Sequence, residues 1–121
     1  MLTLAVAAAS GAGAVCRYLL DRTVQRRVRG AFPYGIFVVN ITGSLLLGLV
    51  TGLALHHGLP DGPTAVLSAG FAGGYTTFST LAGETLALAL VGSWRTAVAN
   101  VVFSVAVGLA AAAAGLALAL I

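Results

Sequence analysis

Charge is what this sequence has least of. Of its 121 residues, 7% are charged and 60% are hydrophobic, with a mean hydropathy of +1.06. A soluble domain of this size carries far more charge on its surface, so the composition excludes one and defines an integral membrane protein. The acids are Asp21, Asp61 and Glu84 alone, and every basic residue is Arg. With so few acids and two adjacent loop histidines, no carboxylate pair or nucleophile with a neighbouring base can be assembled, which argues against an enzyme. Cys16, the one cysteine, excludes an internal disulfide and a thiolate metal cluster. In so apolar a chain the net charge of +3 is a topology signal, and nucleic acid is not an expected partner.

What is there is a set of four apolar segments, approximately 2–20, 36–55, 63–91 and 96–121, joined by short connections. They predict an all-α membrane protein made of a single four-span transmembrane domain. A signal peptide would need Lys or Arg ahead of the first apolar run, and none stands there. Arg17, near the end of the first span, either snorkels to the interface or takes part in ion handling; both readings stay open. The connection 21–32 carries Arg22, Arg26, Arg27 and Arg29 and reads as a solvated basic loop. In the second span Asn40, Ser44, Gly48 and Gly52 recur every four residues and so share a helix face. The glycines suit close helix packing. Asn40 is different, because an amide in hydrocarbon must find a partner or a polar ligand.

The third segment is too long for one straight crossing: 29 residues, where about 20 suffice. Inside it lies Gly70 to Glu84, G-F-A-G-G-Y-T-T-F-S-T-L-A-G-E. Two glycines weaken a helix by roughly 1 kcal/mol each, so a break is expected near Gly73-Gly74. Thr76, Thr77, Ser79 and Thr80 follow at once. A broken helix at membrane depth survives only where it is buried in protein or lines a polar cavity, and its freed carbonyls can hold a cation. Phe78 and Leu81, three apart, face one way. Glu84 sits at the interface or faces a wet cavity, with neither reading preferred. The fourth span carries Asn100, Ser104 and Gly108 on one face, after Trp94 as an interfacial anchor. Asn40, Thr77, Thr80, Asn100 and Ser104, with the ring edges of Phe78 and Tyr75, are neutral donors able to line an anion path.

Three separated motifs resemble the Fluc/CrcB family of small bacterial fluoride channels. They are G-A-V-C-R-Y at 13–18, F-P-Y-G-I-F-V-V-N-I-T-G-S at 32–44, and the stretch from Gly70 to Glu84. The resemblance covers essentially the whole chain. It implies a dual-topology antiparallel dimer with two fluoride pores and passive fluoride export across the bacterial plasma membrane. It further implies a structural sodium ion held by the backbone carbonyls of Gly73 and Thr76. Asn40 would be the pore amide, Phe78 the aromatic contact, Ser104 the fourth-helix hydroxyl, and Arg17 a vestibule charge. Leu81, Ile36, Asn100 and Gly108 depart from the family pattern, thinning the polar and aromatic lining. A small-multidrug-resistance-like exporter is the competing class, but it depends on a first-span glutamate that is absent here. A non-conducting docking subunit is the third reading.

The arginines give a separate clue to partners. With four spans, Arg17, Arg22, Arg26, Arg27, Arg29 and Arg95 all fall on one side of the membrane. The positive-inside rule then places both termini outside. Oppositely inserted copies of one chain need nearly balanced charge. The expectation is therefore a heterodimer with a paralogue biased the other way.

Overall fold

Backbone groups in hydrocarbon have no water to bind, so each apolar segment closes its own hydrogen bonds as helix. The computed structural model describes residues 1–121. It contains α1 (Leu2–Arg27), α2 (Tyr34–His57), α3 (Asp61–Ala65), a π-helical segment (Val66–Ala72), α4 (Gly73–Tyr75), α5 (Ser79–Leu90) and α6 (Trp94–Leu118). Three helices, α1, α2 and α6, are each long and apolar enough to cross a membrane. The remaining crossing is composite, assembled from α3, the π segment, α4 and α5. Four transmembrane passes with the third interrupted are thus the architecture the sequence predicts.

Two boundaries differ from the expectation. First, α1 does not stop at Leu20 but continues to Arg27. Nothing in D-R-T-V-Q-R-R breaks a helix, and Arg26 and Arg27 in the last turn face the negative end of its dipole. Most of the supposed basic loop is therefore helix, and the turn is confined to residues 28–33. Second, the interruption in the third crossing falls at 76–78, just beyond Gly73-Gly74. Thr76 is extended, with φ −78° and ψ 158°. Gly73 and Gly74 are themselves helical, and Gly74 permits a close approach instead: a Cβ there would lie 2.7 Å from Ser10 Oγ.

Small residues set the packing. Across the α2–α6 interface, the most extensive in the molecule, Gly48 lies on the backbone of Ala112 and Gly115 lies on the backbone of Leu45 and Leu49. The stripe read from the sequence at Gly48 and Gly52 does face a neighbouring helix. On the other side α1 seats against the composite crossing, with Gly13 on the carbonyl of Phe71 and Gly70 on Ala9. The second helix ends where Gly58 turns left-handed (φ +67°), and Leu59 N–H donates to Leu53 C=O at 3.3 Å. His57 Nε2 meets the Ala119 carbonyl beside that turn.

Gly48→Val should therefore cost about 1–3 kcal/mol through overpacking, whereas Gly11→Ala, with open space around it, should not destabilise. Thermal unfolding of the two variants in detergent checks this; equal melting temperatures would contradict the α2–α6 contact.

Candidate functional site

The break at 76–78 frees peptide groups that a continuous helix would pair, and a side chain of another helix takes them up. Asn40, on α2, donates from Nδ2 to Thr77 C=O at 2.9 Å and accepts from Thr77 N–H through Oδ1, also at 2.9 Å. Both halves of one peptide position are thus satisfied by one amide. Thr77 then starts the next helix: its Oγ1 accepts from Thr80 N–H at 3.2 Å, the role of a capping hydroxyl. It also reaches Thr80 Oγ1 at 3.2 Å and Ser79 Oγ at 3.3 Å. On the opposite side of the break, Thr76 Oγ1 donates back to Ala72 C=O at 2.9 Å. Tyr75 is buried, with its hydroxyl 2.8 Å from Thr42 Oγ1. Thr42 gives its own proton to Val38 C=O at 2.8 Å, so Tyr75 is the donor in that pair.

Two carbonyls are left over. The N–H that would bond Gly73 C=O in a continuous helix is that of Thr77, and it goes to Asn40. The N–H that would bond Thr76 C=O is that of Thr80, and it goes to Thr77 Oγ1. No other backbone donor replaces either one.

Asn40, Ser44, Thr76, Thr77, Phe78, Leu47 and Leu81 line one cavity of about 260 Å³. The Phe78 ring is 79% exposed on the single chain, beside the buried Thr77. Of the residues singled out in the sequence, then, Asn40, Thr76, Thr77 and Phe78 come together here, and Thr80 joins through its bond to Thr77. Gly73 precedes the cavity by one turn of helix. Ser104 is buried on α6, its Oγ without a protein partner. It shares a face with Gly108, which points at Ser44 and Ile41, but it does not line the cavity. Arg17 also stands apart. It lies one turn beyond Gly13, the residue of α1 that touches Phe71 and Tyr75, which is about 6 Å further along the axis. Glu84 lines a separate hollow with Gln25, Phe32 and Pro33, next to the α1–α2 turn.

Some partners were not visible in the sequence. Ser10 lies against Gly74, and the carboxylate of Asp21 crowds Gly35 at the start of α2. Asn100 Nδ2 donates to Thr85 Oγ1 at 2.8 Å. Thr85 had no signal beyond being a hydroxyl in an apolar helix.

These features define a polytopic α-helical membrane protein whose polar groups converge on a break in one crossing. The comparisons carry this further, since the model of the family described as "CrcB-like protein, Camphor Resistance (CrcB)" matches residues 4–116. The chain belongs to the CrcB family. Similar relatives include "Fluoride-specific ion channel FluC 1" of Leifsonia xyli subsp. xyli, 48% identical over 116 residues, which are 96% of this chain and 85% of the relative. "Fluoride-specific ion channel FluC 2" of Mycobacterium tuberculosis is 49% identical over 105 residues, 87% of this chain and 80% of the relative. "Fluoride-specific ion channel FluC 3" of Bifidobacterium longum is 41% identical over 114 residues, 94% of each chain. The resemblance read from the three motifs is therefore correct.

Replacing Asn40 by Leu would strand both the N–H and the C=O of Thr77. At about 1–3 kcal/mol for each buried unpaired group, the variant should lose about 2–6 kcal/mol in stability. Asn40→Gln or Asn40→Asp should lose less than Leu. Unfolding midpoints in detergent decide this; a Leu variant as stable as the parent would dismiss the clamp.

Proposed function

We propose that this chain is a subunit of a fluoride-selective channel in the bacterial plasma membrane, through which fluoride leaves the cytoplasm passively and fluoride toxicity is relieved. The observation that carries this reading is the cavity at the break, where amide and hydroxyl groups meet an aromatic ring at membrane depth. Neutral donors can replace the water around an anion without trapping it, and conduction needs such weak sites. The edge of the Phe78 ring is the positive side of its quadrupole. Ser104 contributes a hydroxyl, Thr77 and Thr80 the polar wall, and Arg17 a cationic mouth that raises the local anion concentration. The names of the relatives support fluoride as the ion. The protein is a pore in this reading and performs no covalent chemistry.

Gly73 and Thr76 suit the structural sodium ion. Their carbonyls are the two that the break leaves without backbone donors, and freed carbonyls in unwound transmembrane segments are cation ligands. Gly73 is exposed on the single chain, so the matching carbonyls of a second, antiparallel subunit can complete the set. The sodium ion supplies fixed positive charge that binds the two breaks together. Exchanging sodium for N-methylglucamine should accordingly lower the dimeric fraction in detergent, read by size exclusion or crosslinking. An unchanged fraction would remove sodium from the assembly.

The second subunit is a paralogue inserted the opposite way. All six arginines lie on one side of the four-span topology, which orients the chain with both termini outside. The numbers in the relatives' names, FluC 1, FluC 2 and FluC 3, are in keeping with paralogous pairs. Leu81 supports a second reading, in which this subunit docks a conducting paralogue without carrying a complete pore itself.

Fluoride efflux from liposomes, with chloride as the control anion, separates these readings. Efflux is expected when the chain is co-expressed with an oppositely biased paralogue. Efflux from the chain alone would keep the channel but replace the heterodimer with self-pairing. No efflux in either preparation would end the channel reading.

A further inference from the structure

Asn100 is wholly enclosed, with 0% of its surface exposed. Its Nδ2 donates to Thr85 Oγ1 at 2.8 Å, and Thr85 Oγ1 lies 2.7 Å from Leu81 C=O. A hydroxyl has one proton. Thr85 therefore accepts from Asn100 and passes its own proton to Leu81. The relay runs in one direction, from the middle of α6 into the first turns of α5, and it fixes which way the amide is turned. Asn100 Oδ1 is thereby turned away from Thr85, buried without a protein partner, as is Ser104 Oγ one turn further along α6.

The relay matters because little else sets the rotation of α5 about its axis. This helix, S-T-L-A-G-E-T-L-A-L-A-L, buries no side chain of its own and rests mainly on α6. Against lipid, apolar faces do not distinguish one rotation from another, and interhelical hydrogen bonds do. A single α-helical position corresponds to about 100° of rotation, enough to swing Leu81 and Phe78 off the cavity they share with Asn40 and Thr77. The Asn40–Thr77 clamp holds the start of α5; Asn100 holds it one and a half turns later.

We propose that Asn100 is a positioning residue of the ion pathway: through Thr85 it sets the rotation of α5, and with it the placement of Leu81 and Phe78 at the break. Asn100 acts through α5 and need not touch the ion. The pathway is the one named in the channel reading, on which this inference rests, but the placement of position 81 can be measured without any flux.

The test uses Thr85→Val, which keeps the shape and removes both hydrogen bonds, and Thr85→Ser, which keeps the hydroxyl. Each is made in the full chain, assembled with its paralogue where pairing requires one. Fluoride efflux and the fluoride-to-chloride ratio are compared at equal dimer yield. In a Cys16→Ser, Leu81→Cys background, the rate of modification by a water-soluble thiol reagent reports where position 81 stands. Because a membrane interhelical hydrogen bond is worth about 0.6 kcal/mol, Thr85→Val should change the labelling rate and the selectivity ratio by at least about threefold. Thr85→Ser should stay near the parent. Asn100→Leu should reproduce the Thr85→Val effect. If Thr85→Val does not assemble, Thr85→Ala, which leaves a small void, takes its place. Parental labelling and selectivity in the hydroxyl-free variants would overturn the proposal, as would equal changes in Thr85→Ser and Thr85→Val, which would mean packing rather than hydrogen bonding. Altered labelling in a chain that carries no fluoride at all would keep the positioning role and reject the channel.

Discussion

An unpaired peptide group in hydrocarbon costs several kcal/mol, and the third crossing interrupts its helix over three successive residues. The amide of Asn40 meets that constraint. It is the one side chain that gives and takes a hydrogen bond with the same backbone position, Thr77. Around it the other polar groups fall into place in sequence order. Thr76 turns back onto Ala72, Thr77 caps the helix that follows, and the carbonyls of Gly73 and Thr76 remain open. A break satisfied in this way can be stable and still present unpaired oxygen atoms, which is what separates a functional interruption from a defect.

The glycines exist to bring the neighbouring backbones close enough for this to happen. Gly43 lies against Thr76 and Tyr75, so α2 can approach the break from one side. Gly13 and Gly74 let α1 approach from the other. Further along, Gly48 and Gly115 lock α2 to α6, keeping Asn40 on a rigid support. Local pairing and global packing are therefore one problem here: the amide reaches Thr77 only because side chains are missing at the crossing points.

Much of this was legible in the sequence because hydrocarbon makes polar residues conspicuous. Asn40, the hydroxyl cluster after Gly74, and Asn100 with Ser104 stood out as costly groups needing partners, and the four crossings followed from segment length. What could not be read was which groups pair. Helices that are apolar on nearly every face carry little record of their rotation, so the bonds Tyr75–Thr42 and Asn100–Thr85 had no pattern to announce them. The break was expected at the glycines and lies at the threonines instead, since Gly73 and Gly74 tolerate helix where a close neighbour rewards it. The helical reach of α1 to Arg27 was missed for a simpler reason: charge was taken for solvated loop, although arginine is a good helix former.

The π-helical segment Val66–Ala72 bears on what lengths of chain the fold can accept. Its i→i+5 bonding takes in more residues per turn than an α-helix does, and the surplus is absorbed before Gly73. Dropping one residue between 66 and 72 would let the segment relax to ordinary α-helix, yet every later side chain would arrive about 100° out of phase. Thr77 would then face away from Asn40, and Gly74 away from Ser10. Residue count in this stretch is thus under tighter constraint than residue identity: apolar substitutions can be absorbed there, whereas insertions and deletions cannot.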